Sequence, residues 1–150
     1  MKHLNWGIIG TGMIANRFAG SLKTTNKASL VAVASRTLDK AQKFASNYGI
    51  PKFYGTYEEI INDPEIDVIY ISLPNHLHAE WSIKCAQAGK HILCEKPVTV
   101  NRNELVKVLE VVKKHDVFFM EAFMYRCHPQ WNKIKELIAN DAIGKVCTLK

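Results

Sequence analysis

The sequence predicts a doubly wound α/β domain built on a parallel sheet, and three observations carry that prediction. Five apolar runs rich in β-branched residues (Leu4–Ile9, Leu30–Ala34, Val68–Leu73, His91–Cys94 and Val117–Met120) are continuous rather than alternating, as strands covered on both faces require. Stretches with helical spacing separate them, so strand and helix alternate in units of about 30 residues, the length of a βαβ crossover. The first run also ends in a glycine-rich turn, Gly10-Thr11-Gly12-Met13-Ile14-Ala15, which opens an amphipathic helix with Ile14, Phe18 and Leu22 on one side. Together these features specify a Rossmann fold.

The remaining elements follow in order. Ala41, Phe44, Ala45 and Tyr48 recur at helical spacing and stop at Gly49. Thr56 with Glu59 forms a capping-box signature for a short helix ahead of Asp63-Pro64. Leu77, Trp81, Cys85 and Ala88 form another stripe, ended by Gly89. Asn101 and Glu104 cap a further helix that carries Leu105, Val108, Leu109 and Val112 inward. A last helix opens on Pro129, is expected to bury Trp131, Ile134, Leu137 and Ile138, and is broken by Gly144. Residues 145–150 then read as a new strand without a turn or partner. The expected division is therefore a dinucleotide-binding domain over 1–143 and, over 144–150, the start of a second α+β domain in which the chain is truncated.

Composition removes several function classes. With 47% hydrophobic and 23% charged residues, the 150-residue chain is ordinary for one globular domain. Its start, Met1-Lys2-His3-Leu4-Asn5-Trp6, is not a signal peptide, and no apolar run is long enough for a membrane span, so a cytoplasmic protein without membrane contact is expected. Cys85, Cys94, Cys127 and Cys147 form no paired motif, which points to reduced thiols and no metal site. The net charge of +6 spreads 20 Lys and Arg among 14 acids with no basic stripe, so no nucleic-acid partner is expected.

The turn after the first strand has a physical reading position by position. Gly10 permits the tight bend. Gly12 lets backbone approach a pyrophosphate with no Cβ in the way, and Ala15 keeps the helix close to the sheet. The free N–H groups of that helix, with Thr11, Met13 and Ile14 around them, then face the diphosphate. The second strand ends in Ser35-Arg36-Thr37, where a carboxylate would bind the ribose hydroxyls of NAD. Ser35 can instead donate to a 2′-phosphate, and Arg36 can pair with it and stack on adenine. NADP is the expected cofactor, with NAD possible; a methyltransferase-type nucleotide site is disfavoured because it too uses an acid there.

Two more segments leave strands at the sheet end where such folds bind ligands: Leu73-Pro74-Asn75-His76-Leu77-His78 and Cys94-Glu95-Lys96-Pro97. A lysine beside a nicotinamide can hydrogen-bond a substrate hydroxyl and take part in proton transfer. On position alone, Lys96 reads equally as a surface salt bridge with Glu95.

The whole chain resembles the glucose–fructose oxidoreductase/inositol dehydrogenase (Gfo/Idh/MocA) family. The glycine-rich turn, Pro74-Asn75-His76-Leu77-His78, Ala88-Gly89-Lys90-His91-Ile92-Leu93-Cys94-Glu95-Lys96-Pro97 and Glu121-Ala122-Phe123-Met124-Tyr125-Arg126 carry the likeness. Glu121-Ala122-Phe123-Met124 with Arg126, His128 and Pro129 further resembles the branch of dimeric dihydrodiol dehydrogenases and NADP-dependent xylose dehydrogenases. The resemblance implies that Lys96 is the catalytic lysine, touching the nicotinamide ribose and the substrate hydroxyl, and that Glu95 turns towards cofactor ribose. It implies that Leu73, Pro74, Asn75 and His78 line the cofactor near its nicotinamide end, and that Arg126 lies on the cofactor side. His76 and His128 read as a helix-start residue and a cap.

By the same resemblance, a second domain absent from these residues supplies the substrate pocket and a proton-transfer partner. The implied activity is hydride transfer between NADP(H) and a C–OH/C=O group of a sugar, polyol or cyclic dihydrodiol, by a full-length protein that is a homo-oligomer. The 150-residue chain alone is expected to be inactive. The competing reading is a non-catalytic module that senses NAD(P), which would need the phosphate turn but not Lys96.

Overall fold

The computed structural model describes residues 3–148. Six strands, β1 (Leu4–Ile9), β2 (Ala28–Ala34), β3 (Lys52–Tyr54), β4 (Val68–Ile71), β5 (His91–Cys94) and β6 (Phe119–Glu121), form one sheet in the order β3-β2-β1-β4-β5-β6. Every pairing is parallel. The doubly wound sheet read from the sequence is borne out. Strand order reverses between β1 and β4, which are neighbours although β2 and β3 lie between them in sequence. That switch leaves a crevice above the carboxyl ends of the strands.

Helices α1 (Met13–Leu22) and α2 (Leu38–Tyr48) cover one face. Ala15, Ala19, Phe44 and Ala45 pack there on Ile8, Val33 and Tyr70, and Phe18 stacks on the Tyr70 ring at 3.9 Å. The other face carries α3 (Tyr57–Ile61), α4 (His78–Gln87) and α5 (Arg102–Lys114). Ile60, Trp81 and Cys85 meet Ile9, Ile69 and Ile71 there, with Leu105, Val111 and Val112 of α5 packed around them. The helix ends follow the sequence signals. Gly49 caps α2 at φ 61°, and Thr56 and Glu59 form the full capping box of α3.

The structure departs from the sequence reading at one strand, two helices and the last residues described. The strand Lys52–Tyr54 went unread because three residues after Pro51 carry no period; a polar network holds it instead. Lys52 Nζ and the Tyr54 hydroxyl donate to Asp63 Oδ2 at 2.9 and 2.7 Å, and the Glu65 backbone N–H donates to Oδ1 at 2.9 Å. Burial pushes the Asp63 carboxyl up, but these three donors outweigh it and hold it at about 2. The same burial and carboxylate push the Tyr54 phenol up to about 12.

The last helix, α6 (Pro129–Ala139), ends at Asn140 rather than Gly144 and buries none of its residues. Its apolar stripe is only partly covered: Trp131 meets the Tyr125 ring at 5.3 Å, and Trp131 and Ile138 stay exposed. Leu109 also turns outward from α5, where Val108 is the buried residue. Residues 145–148 form no strand and pair with none of the described strands; 149 and 150 lie outside the described residues.

Candidate cofactor and active site

The crevice at the β1/β4 switch opens into a cleft of about 820 Å³. Its floor is the turn between β1 and α1. Gly10 sits at φ 99°, a backbone that side chains rarely adopt, and a Cβ there would meet Ser72 Oγ at 2.8 Å and Ser72 O at 3.0 Å. Its N–H donates to Ala34 O at 3.0 Å, tying the turn to β2. Gly12 differs in kind. It is the N-cap of α1 at φ −77°, and nothing lies within 4 Å of where its Cβ would point. No side chain caps α1 and its first turn holds no acid, so its leading N–H groups and positive dipole end are left for a ligand. An open cradle beside uncapped N–H groups fits a diphosphate.

Asn16 braces this turn: its Nδ2 donates to Gly12 O at 2.8 Å while its Oδ1 accepts from the Tyr48 hydroxyl at 2.9 Å. Ser35, 5% exposed, closes the next corner, its hydroxyl 3.4 Å from that of Thr11. Arg36 follows in the open. Lys40 and Lys43, one turn apart on α2, line the same end of the cleft with Arg36. Tyr57 stands opposite; burial raises its phenol above the usual range and the Arg36 charge opposes that. Three cations and no acid among the lining residues make this end strongly favourable to an anion.

Of the residues expected from the sequence, Gly10, Thr11, Gly12, Met13, Ile14, Ser35, Arg36, Leu73 and Pro74 line the cleft. Asn75 is exposed at the start of a 3-10 turn (Asn75–Leu77) just outside it, and His76, read only as a helix-start residue, lines it. Lys40, Lys43 and Asn47 were missed because their spacing on α2 reads as an ordinary solvated face.

Two residues, His78 and Glu95, stand differently from expectation. His78 does not reach the cleft: it is wholly buried, its Nε2 lying 2.7 Å from Leu73 O and its Nδ1 2.7 Å from Pro97 O. Glu95 turns back towards the sheet, where Oε1 accepts from the buried Tyr70 hydroxyl at 2.5 Å. That carboxylate and burial drive the Tyr70 phenol far above its ordinary range, burial being the larger cause. Arg126 lies exposed in a 3-10 turn (Met124–Cys127) after β6. Lys96 itself is exposed at the carboxyl end of β5, next but one to Cys94, with a cis peptide bond to Pro97. His128 acts as the cap the sequence suggested, its Nδ1 accepting from Gln130 N at 3.2 Å.

A family model described as an oxidoreductase family with an NAD-binding Rossmann fold, GFO_IDH_MocA, matches residues 4–123. The chain belongs to this family. Among its relatives, trans-1,2-dihydrobenzene-1,2-diol dehydrogenase of Xenopus tropicalis is 43% identical over 143 residues, 94% of this chain and 43% of that protein. D-xylose 1-dehydrogenase (NADP(+)) 2 of Haloferax volcanii is 39% identical over 144 residues, 96% of this chain and 44% of that protein. A crystal structure of a KijD10 mutant, a 3-ketoreductase of Actinomadura kijaniata in complex with TDP-benzene and NADP, superposes with a TM-score of 0.89 at 31% identity, over 97% of this chain and 45% of that one. The chain therefore spans less than half the length of the curated relatives it matches. The family, the branch and the fold implied by the sequence motifs are all borne out. No helix among the described residues is long and apolar enough to cross a membrane.

Proposed function

We propose that this chain is the cofactor-binding half of an oxidoreductase that transfers hydride between NADP(H) and a C–OH/C=O group of a sugar, polyol or cyclic dihydrodiol. The observation that carries the proposal is the cleft's polarity along its length. Uncapped N–H groups and an open Gly12 suit a diphosphate in the middle, and Arg36, Lys40 and Lys43 suit a further phosphate at one end. A 2′-phosphate supplies that second anion, so NADP is preferred over NAD. The xylose dehydrogenase relative uses NADP(+) and the ketoreductase crystal structure holds NADP, which supports the same choice.

When bound, NADP(H) supplies the hydride donor and acceptor. The chain's own residues do the rest. The α1 N-terminus binds the diphosphate, Ser35 and Arg36 hold the adenosine end, and Leu73 and Pro74 wall the cleft on the β4 side. Lys96 leaves the neighbouring strand at the same sheet edge, and its ammonium holds the substrate oxygen and moves its proton as hydride is transferred. On this reading residues 1–143 form the cofactor domain, and a second domain that begins at residue 144 places the substrate.

The test is NADP reduction by trans-1,2-dihydrobenzene-1,2-diol, D-xylose and inositol in protein carrying both domains. Lys96→Met lowers turnover by about two orders of magnitude or more, while NADPH affinity changes by less than about threefold. The 150-residue chain binds NADPH and turns over none of the three. Unchanged turnover in Lys96→Met, or robust turnover by the short chain, would refute the assignment.

A further inference from the structure

Lys96 has an exposed side chain, so its own packing does little to aim it. The backbone around it is gripped instead, residue by residue. Glu95 N donates to Ile71 O at 3.0 Å, fixing the last step of β5 against β4. Past Lys96, Pro97 O lies 2.7 Å from His78 Nδ1, and Val98 N donates to Glu121 Oε1 at 2.9 Å. Val98 is itself buried, 7% exposed, so the far side of the turn is anchored in the core. Glu121 ends β6, and the next backbone N–H, of Ala122, donates to Cys94 O at 2.8 Å. That places the carboxylate on a fixed strand end beside the turn rather than on a loop of its own.

His78 adds a second connection. Both of its ring nitrogens lie 2.7 Å from carbonyl oxygens, so the one ring bridges two stretches of backbone. Its Nδ1 meets the residue after Lys96. Its Nε2 meets Leu73, a wall of the cofactor cleft. An asparagine has a single nitrogen at shorter reach and cannot bridge both carbonyls.

We propose that Glu121 and His78 are positioning residues for Lys96: Glu121 fixes the turn from the β6 side, and His78 fixes it from the α4 side while holding it in register with the cofactor wall. The proposal rests on the reading of Lys96 as the proton-transfer group. Misplacing a reacting group by about 1 Å costs as much as a hundredfold in rate, so a clamp of this kind shows in turnover rather than in binding.

The experiment separates reach from charge. Glu121→Gln keeps an acceptor oxygen at the same reach and loses the charge; Glu121→Asp keeps the charge and falls short by one methylene. Each is made in protein carrying both domains and assayed with NADP and D-xylose or trans-1,2-dihydrobenzene-1,2-diol, alongside Lys96→Met and His78→Asn. The Val98 amide is followed by hydrogen exchange in the 150-residue chain.

Glu121→Gln is expected within about threefold of the unmutated kcat. Glu121→Asp and His78→Asn are expected to lose about tenfold to a hundredfold in kcat, with KM and NADPH affinity within about threefold. The Val98 amide exchanges faster in Glu121→Asp and stays protected in Glu121→Gln. If Glu121→Asp keeps full kcat, or outperforms Glu121→Gln, while Lys96→Met is inactive, the positioning role is wrong and the role of Lys96 stands. If Lys96→Met turns over normally, the reading of Lys96 fails and the clamp has nothing to aim.

Discussion

The two glycines of the phosphate turn should respond oppositely to the same substitution. Gly10→Ala forces an L residue to φ 99° and drives its Cβ to 2.8 Å from Ser72 Oγ and 3.0 Å from Ser72 O. Backbone strain alone costs about 1–3 kcal/mol, and the contact with Ser72 backbone adds to it, so a total near 3 kcal/mol is expected. In urea, with a slope of about 1–3 kcal/mol per molar, the midpoint falls by about 1–3 M. Gly12→Ala meets no such obstacle: φ is −77° and no atom lies within 4 Å of the added carbon. The unfolded chain loses entropy worth about 0.4–1 kcal/mol, and the poorer N-cap gives some of that back, so stability changes by less than about 1 kcal/mol. NADPH binding tells the other half. The methyl of Gly12→Ala stands where phosphate oxygens must approach the α1 N–H groups, and affinity should fall at least about tenfold, or 1.4 kcal/mol. Urea unfolding and fluorescence titration of the same two variants are sufficient. A stable Gly12→Ala that binds NADPH like the unmutated chain would refute the reasoning that this turn cradles a diphosphate.

Three further outcomes follow from the same structure. Arg36→Asp should reverse cofactor preference, because the new carboxylate repels a 2′-phosphate and accepts ribose hydroxyls; comparison of NADPH and NADH titrations checks it. Lys40→Ala should weaken NADPH by about threefold to tenfold and leave NADH unchanged, and the difference should shrink as salt is raised. The Asp63 carboxyl is held at about 2 against an ordinary 3.8, so the stability it lends is complete above the ordinary value and is lost as pH falls through about 2. That separation is worth about 2 kcal/mol, so unfolding free energy measured from pH 5 to pH 2 should fall by about that amount more in the unmutated chain than in Asp63→Asn.

Continuous apolar strands and helix stop signals made the sheet and most of its helices readable, because burial on both faces leaves a pattern in neighbouring residues. Lys52–Tyr54 left none: an edge strand held by Asp63 depends on a residue in another loop, and side-chain ladders of that kind have no period. The cleft divided the same way. Gly10, Gly12, Ser35 and Arg36 were legible because a local turn or strand end dictates their chemistry. Lys40 and Lys43 were not, since only the tilt of α2 over the β2 end decides which lysines of a solvated face meet the ligand. His78 was placed on the wrong side of its loop. A histidine opening a helix after Pro74-Asn75 looks like a ligand contact, and only the fold shows two backbone carbonyls waiting for it. The buried stripe expected on α6 failed for a related reason: an apolar face says that something covers it, not that the cover lies within these residues.

On the proposed function, the cleft at the β1/β4 switch holds a dinucleotide by its diphosphate and selects a 2′-phosphate with Arg36, Lys40 and Lys43. Titration of the 150-residue chain with NADPH and with NADH, followed by the fluorescence of the reduced nicotinamide, tests it most directly. NADPH should bind at least about tenfold more tightly, a difference of 1.4 kcal/mol that two or three exposed cations can supply. Equal affinity for the two, or binding of neither, would contradict the claim.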